Sequence, residues 1–237
     1  MAKRLYGKTY HADRNARTRY AADTILKHVF GWHNISSVCD IGCGVGTWLA
    51  ASKDLGATRV KGFDGPWVDK NAIAIEREEF QEFNLSKPLP KDEKFDLAMS
   101  LEVAEHLDPG RAVSLVADFC QLSDLVLFSA AIPGQGGTGH KNEQWQSYWA
   151  DLFAQHGFQP VDIVRPLIWD DEDIAWWYRQ NMLLYVKSQS DAEQSLLALN
   201  TARGDFIDLV HPEQLNFIQA APFKHAVRQV LHRLNIR

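Results

Sequence analysis

Short apolar runs recur along the chain, separated by segments in which apolar residues have helical spacing. Each run is rich in Val, Leu, Ile or Phe and too short for a buried helix, which favours a buried strand. The predicted strands are 36–42, 58–64, 80–85, 95–101, 124–130, 160–167 and 181–188. Only a short stretch separates the last two, so we expect them to pair as an antiparallel edge of the sheet.

The segments between these runs predict helices. Their apolar residues recur at helical spacing, and several of them end at a glycine. The predicted helices are 16–30, 47–56, 110–122 and 142–157. Strands that alternate with helices are typical of a doubly wound α/β fold, so we expect a mostly parallel, seven-stranded, Rossmann-like sheet with helices on both faces.

The predicted domain spans residues 1–188, including an additional helical segment at its N-terminus. Residues 189–237 begin polar and end in a basic, helix-like sequence. We expect this helical C-terminal extension to pack on the domain, to mediate association into a homo-oligomer or to lie on an anionic surface.

Composition and charge narrow the class of protein. The chain has 237 residues, 46% of them hydrophobic, and a formal net charge of −5. Nonspecific nucleic-acid binding depends on Lys and Arg neutralising phosphates, so this charge argues against an extended nucleic-acid partner. The three cysteines show neither zinc-ligand spacing nor a disulfide framework. No apolar stretch approaches the ~20 residues of a membrane span, and the N-terminus lacks the apolar centre of a signal peptide. We therefore predict a cytoplasmic protein without a transmembrane segment.

A glycine-rich loop, "DIGCGVG", follows the first predicted strand. Glycines at the carboxyl end of a parallel strand let the backbone approach a ligand closely. A dinucleotide-binding loop has a further glycine where this chain has Thr47, which disfavours a nicotinamide cofactor.

Two further polar positions follow the next two strands. Asp64 stands where a carboxylate accepts hydrogen bonds from ribose hydroxyls, although an Asp that merely opens the turn "DGPW" has the same position. Asn84 and Leu85 end the following strand, where an adenine would lie. Together the three strand ends predict a nucleoside-binding cleft.

These segments resemble the class I S-adenosylmethionine-dependent methyltransferases over residues 16–188. "DIGCGVG" resembles their first motif, "GFD" their second and "FDLAMSLEVAEHL" their fourth. The positions that the resemblance assigns to the cofactor are Asp40, Gly42, Gly44 and Gly46 near the methionine part, Asp64 at the ribose, Asn84 and Leu85 at the adenine, and Ser100 in the fourth motif. Many relatives have Asp where this chain has Asn84. The segment "GTGHKNEQWQSYWADLFAQHGF" further resembles bacterial methyltransferases associated with sugars and surface polysaccharides.

A cluster of titratable residues follows the fourth predicted strand. Glu102, Glu105 and His106 lie within five positions in "SLEVAEHLDP", and His140 lies in the loop after the neighbouring strand. We expect all four side chains to converge where an acceptor meets the methyl group. A solvated first turn of a helix would explain the first three equally simply.

Two kinds of chemistry suit this cluster. Two carboxylates and two imidazoles are suitable ligands for Mg²⁺ or Mn²⁺, which would activate an acceptor hydroxyl. The pattern Glu-x-x-Glu-His with a later His also resembles the metal site of small-RNA terminal 2′-O-methyltransferases and of a ubiquinone-pathway O-methyltransferase. The alternative is a metal-free network in which His106 or His140 is the base, assisted by Glu105.

The sequence therefore predicts an enzyme that methylates a hydroxyl of a sugar, a nucleotide-sugar or a glycan end. An RNA terminus or a small metabolite is the alternative acceptor, and a catalytically silent cofactor-binding subunit is the alternative of another class. An aromatic segment, 176–180, either stacks on a sugar ring or forms part of the core. Tyr6, Tyr10 and Arg14 form either a lid over the cofactor or a disordered arm.

Overall fold

The computed structural model describes residues 8–199 and 207–218, with side chains from residue 15 onwards. Its first helix, α1 (Lys8–Trp32), is longer than the predicted 16–30 and continues through Gly31. One face of this helix, including Ala22, Leu26 and Val29, is fully buried. Trp32 also packs against the core, so burial of apolar surface extends the helix beyond the glycine.

Seven strands form one sheet in the order β3-β2-β1-β4-β5-β7-β6. The strands are β1 (Ser37–Ile41), β2 (Arg59–Asp64), β3 (Phe80–Glu82), β4 (Leu97–Leu101), β5 (Leu125–Ser129), β6 (Phe158–Val161) and β7 (Leu183–Lys187). The first five are joined in parallel, and β7 runs antiparallel to both β5 and β6. The predicted antiparallel edge is thus the β6–β7 pair, with β6 outermost, and the doubly wound fold is confirmed.

Helices cover both faces of the sheet. Besides α1 they are α2 (Thr47–Asp54), α3 (Ala112–Leu122), α4 (Gln146–Ala154), α5 (Arg165–Ile168), α6 (Trp176–Asn181) and α7 (Asp191–Leu197), and residues 212–218 are also helical. One apolar core lies under α1, α2, α5 and α7, and a second lies under α3 and α4. The central strands contribute alternate residues to the two cores, which explains why they are apolar throughout.

The strand predicted over 80–85 ends at Glu82, so Asn84 and Leu85 follow the strand and do not end it. Two further predicted boundaries are wrong for local reasons. The strand predicted over 160–167 ends at Val161, because the Asp162 carboxylate accepts from Arg165 Nε at 2.9 Å and from Nη2 at 2.7 Å, which closes a turn. The helix predicted over 142–157 begins only at Gln146, because the backbone just before it is bonded elsewhere, to the turn after β4.

The C-terminal extension is partly described. Helix α7 and the helical residues 212–218 agree with the expected helical character, whereas the basic tail, 219–237, lies outside the described residues. Within the described part of the chain, no helix has the length and apolar character needed to cross a membrane.

Candidate active site

The glycine-rich loop lies between β1 and α2, at the carboxyl end of the sheet. Gly42, Gly44 and Gly46 have φ values of 86°, 54° and 80°, a left-handed conformation that favours glycine. A Cβ on Gly42 would overlap the side chain of Val103, whereas one on Gly44 would have no neighbour within 4 Å. Gly42 is therefore required for packing, and Gly44 borders open space.

Asp64 turns its carboxylate towards this loop. Oδ2 accepts from the Gly44 amide at 2.7 Å, and Oδ1 accepts from the Gly65 amide at 2.6 Å. The residue is 6% exposed, so the carboxylate is a buried acceptor at the edge of the open space. Its role at the ribose stays a prediction.

Asp40 is buried at the end of β1. Removal from water, together with the nearby charge of Asp64, raises the pKa of Asp40 to about 8. A buried carboxyl in this state ionises readily only when a cationic group approaches it.

The other residues assigned to the cofactor occupy different positions. Asn84 is exposed, and its Oδ1 accepts from the Ser86 amide at 3.0 Å. Leu85 is buried, and its carbonyl accepts from Arg111 Nε at 3.1 Å. Ser100 is fully buried and donates to the Ile41 carbonyl at 2.9 Å, so it ties β4 to the end of β1 just before the glycine-rich loop.

Three residues of the predicted acceptor cluster lie together. One potential ligand atom from each of Glu105, His106 and His140 lies within 4.8 Å of the others. The two imidazole rings meet edge to face, with centroids 4.8 Å apart. Burial, and next the negative charge of Glu102, raise the pKa of Glu105 to about 9, while burial lowers the pKa of His106.

Glu105 is 1% exposed, and its Oε2 has no hydrogen-bond partner among the described residues. A buried carboxyl oxygen without a partner is costly unless a cation or a donor is bound to it. Because His106 is exposed, the cluster opens to solvent on one side. An acceptor group or an ion can therefore reach it.

The backbone explains why these side chains meet. A single 3₁₀ turn, Ala104–His106, follows β4. The carbonyl of Glu105 accepts from the amides of Lys141 at 2.7 Å and Asn142 at 3.0 Å. These two bonds hold the loop after β5 against the turn and so bring His140 to Glu105.

Glu143 orients His140. Its Oε1 lies 2.8 Å from His140 Nδ1, and the same carboxylate accepts from the amides of Gly134 at 2.8 Å and Gly136 at 3.0 Å. Because Nδ1 is engaged in this way, Nε2 is the ring nitrogen left for an acceptor or an ion. The prediction missed Glu143, although its spacing of three residues from His140 was a usable signal.

Glu102 is not in the group of three that can hold an ion. Its backbone has a φ of 57°, unusual for a residue with a side chain. Its carboxylate accepts from Gln135 Nε2 at 2.7 Å and from Asn181 Nδ2 at 3.1 Å. Burial raises the pKa of Glu102, and these two donors lower it. Glu102 is thus beside the cluster but bonded to two amides that sequence reasoning missed.

Aromatic side chains near the site lie partly in the core. On α4, Trp149 is 1% exposed, and Tyr148 packs against the core beneath the helix. The predicted aromatic segment, 176–180, is divided between core and surface. Tyr178 packs edge to face on Trp48, with centroids 5.7 Å apart, whereas Trp177 is exposed. Tyr6, and the side chains of Tyr10 and Arg14, lie outside the described residues.

Comparison with known families identifies the chain. Residues 12–182 match a family model described as a methyltransferase domain. The chain belongs to this family, and together with the fold this confirms the predicted class, the S-adenosylmethionine-dependent methyltransferases. No curated protein matches the sequence.

Solved structures agree in fold. A magnesium protoporphyrin IX methyltransferase from Synechocystis PCC 6803, with bound S-adenosylhomocysteine (SAH), is 17% identical with a TM-score of 0.54, covering 73% of this chain and 84% of that one. The methyltransferase domain of bacterial CtHen1-C is 18% identical with a TM-score of 0.50, covering 73% and 98%. An N,N-8-amino-8-demethyl-D-riboflavin dimethyltransferase from Streptomyces davawensis is 21% identical with a TM-score of 0.51, covering 76% and 57%.

Proposed function

We propose that this chain transfers the methyl group of S-adenosylmethionine to a hydroxyl of a sugar, a nucleotide-sugar or a glycan end. The observation that carries the proposal is the group Glu105, His106 and His140, which lies after the strand next to the glycine-rich loop. Methyl transfer to a hydroxyl needs a base that removes the proton of the acceptor, and this carboxylate with its two imidazoles can provide that base. The resemblance of 137–158 to sugar-associated methyltransferases supports the sugar class, and the cytoplasmic location stays a prediction from the sequence.

In this proposal the cofactor would occupy the open space beside Gly44. Asp64, a buried acceptor, would bind the ribose hydroxyls, and Asn84 and Leu85 would lie at the adenine. Asp40 would lie near the methionine part, where the ammonium of the cofactor supplies the cationic group that favours an ionised carboxylate. Ser100 would act indirectly, since its hydroxyl is bonded to the carbonyl of Ile41.

His140 is the residue best placed to take the acceptor proton. Its Nδ1 lies against Glu143, which fixes the tautomer with Nε2 as the proton acceptor and stabilises the imidazolium that forms. The methyl group then moves from sulfur to the acceptor oxygen in one in-line displacement, and SAH leaves. Positioning of the two reactants supplies much of the rate enhancement in such a step.

The same residues are also suitable ligands for a divalent ion. The unpartnered Oε2 of Glu105 and the two imidazoles offer one oxygen and two nitrogens, a set that favours Mn²⁺ over Mg²⁺. Glu105, His106 and His140 would hold the ion, with Glu102 nearby as a second negative charge. When bound, such an ion lowers the pKa of an acceptor hydroxyl.

The alternative acceptor is the terminus of an RNA. The spacing of Glu102, Glu105 and His106, together with His140, favours it, since it matches the pattern of terminal 2′-O-methyltransferases. The net charge of −5 favours a short terminus over a long duplex.

The experiment supplies S-adenosylmethionine with a deuterated methyl group and a panel of acceptors. The panel contains UDP-glucose, UDP-N-acetylglucosamine, GDP-mannose and a short RNA with a free 3′ end, and mass spectrometry detects the labelled product. We expect a labelled nucleotide-sugar, and loss of product in His140→Asn but not in the exposed control His156→Asn. Label only on the RNA would replace the sugar proposal with the alternative, and SAH binding without any labelled product would contradict both.

Chelation separates the two modes of activation. If an ion activates the hydroxyl, excess EDTA abolishes turnover and Mn²⁺ restores it, while SAH affinity is unchanged. Full activity in excess EDTA would exclude the ion and assign the proton to His140.

A further inference from the structure

Residues 207–218 lie beyond the part of the chain that matches the family, yet they are bound closely to the domain. The Ile207 carbonyl accepts from Arg165 Nη1 at 2.8 Å. The Asp208 carboxylate accepts from the amide and the hydroxyl of Ser147, at 2.7 and 2.8 Å, at the start of α4. The segment is therefore built into the fold next to the loop that carries His140.

A buried glutamine, Gln180, links this segment to the interior. Its Oε1 accepts from the His211 amide at 2.8 Å, and its Nε2 donates to Gln214 Oε1 at 2.6 Å. The same Nε2 lies 3.3 Å from Gln135 Oε1. The side chains of all four residues are almost fully buried. Buried amides of this kind are costly unless each one is paired, so they fix one another's orientation.

The amide network ends at Glu102. Asn181 Nδ2 donates to Gln135 Oε1 at 2.8 Å and to Glu102 Oε1 at 3.1 Å. Gln135 Nε2 donates to the other oxygen of Glu102 at 2.7 Å. Gln180 Nε2 also donates to Asn181 Oδ1 at 3.0 Å. One buried amide group thus serves acceptors within the network and Gln214 Oε1 on the C-terminal segment, so the orientation of the groups around Glu102 is coupled to that segment.

The segment also touches the loop directly. A Cβ on Gly134 would lie 3.7 Å from Ile218 Cδ1, and one on Gly136 would lie 3.7 Å from Phe217 Cε1. The amides of both glycines donate to Glu143, which orients His140. The helix 212–218 thus packs on the outer side of the loop whose inner side forms the reaction site.

We propose that residues 207–218 contribute to the acceptor site. Gln214 and Gln180 are positioning residues that hold Glu102 and loop 132–140 in the arrangement that methyl transfer needs. This inference rests on the proposed function. We expect the segment to act on turnover and not on cofactor binding, because its contacts are with Gln180, Ser147 and the loop that Glu143 holds.

The test compares three full-length variants. Gln214→Met keeps the size of the side chain and removes the acceptor, Gln214→Glu keeps an acceptor oxygen, and Asn216→Met is a control at an exposed position of the same helix. Hydrogen exchange followed by mass spectrometry, with and without SAH, reports on the loop without any acceptor. We expect Gln214→Met to raise exchange over 132–140 by about threefold or more while leaving SAH protection at 42–46 unchanged.

Turnover with the acceptor found in the panel completes the test. We expect Gln214→Met to lower kcat about tenfold with KM for S-adenosylmethionine within about twofold, and Gln214→Glu to restore most of the loss. Unchanged exchange in the loop, equal loosening at 42–46 or an unchanged kcat would each overturn the proposal. A wild-type protein that methylates nothing would contradict the proposed function, while the exchange data would still decide whether the segment holds the loop.

Discussion

Asp64 is the residue on which cofactor affinity should depend most directly. Among the described residues, its buried carboxylate is bonded to two backbone amides, so both oxygens retain capacity for the ribose hydroxyls. A hydrogen bond to a charged group contributes ~1.5–3 kcal/mol, so Asp64→Ala should weaken SAH binding by roughly tenfold to a hundredfold. Calorimetry on the folded variant checks this, with the exposed Asp92→Ala as control. Unchanged affinity would remove Asp64 from the site.

Asp40 should make cofactor binding depend on pH. Its pKa, raised to about 8 in the free protein, means that the carboxyl is mostly protonated at neutral pH. A ligand ammonium favours the ionised form, so binding of SAH at pH 7 should release a proton, and affinity should rise with pH up to about 8. Calorimetry in two buffers of different ionisation enthalpy measures this proton. Asp40→Asn should bind more weakly and without proton release; proton release that persists in the variant would assign it to another group.

At the level of secondary-structure elements, Gly42 and Gly44 in the turn between β1 and α2 have different roles. Gly42→Ala should lower the free energy of unfolding, since a left-handed alanine costs ~1–2 kcal/mol and its methyl group would also overlap Val103. Gly44→Ala carries the same backbone cost but meets no neighbour, so its additional effect should fall on SAH affinity. Thermal unfolding measures the effect of each variant on stability, and calorimetry measures its effect on SAH affinity. Equal destabilisation with equal affinity would contradict this assignment.

The loop after β5 should be held together by Glu143. Glu143→Gln keeps the size of the side chain but gives up one carboxylate acceptor for Gly134, Gly136 or His140. We expect turnover to fall at least about tenfold while SAH affinity stays within about twofold, because the change acts on His140 and the loop after β5 and not on the glycine-rich loop. Steady-state kinetics and calorimetry measure the two effects. An equal loss of turnover and of SAH affinity would show that Glu143 supports the fold as a whole.

At the scale of the whole molecule, periodicity and glycine placement were sufficient to predict the sheet and the glycine-rich loop at its carboxyl end. Buried parallel strands are continuously apolar, and the run "VCDIGCGVG" marks both a strand and the loop after it. The partners of Glu102 were not predictable in this way. Gln135 and Asn181 are distant from it in sequence, as is Gln180, which bonds Gln135. A glutamine or asparagine in a buried network has the same local pattern as one on the surface.

The position of Glu102 relative to Glu105, His106 and His140 was also not predictable from the sequence. Spacing placed Glu102 and Glu105 on one turn, but the left-handed backbone at Glu102 separates its side chain from the group of three. A backbone of this kind is rare outside glycine and has no signature in the sequence.

A crystal structure with SAH bound would test directly whether the cofactor binds beside the glycine-rich loop with its sulfur at the proposed acceptor site. We expect the ribose hydroxyls to bind Asp64 and the homocysteine part to lie along Gly42 and Gly44. We also expect the sulfur to face Glu105, His106 and His140. An SAH sulfur that points away from these three side chains, or a ligand bound elsewhere on the sheet, would contradict this arrangement.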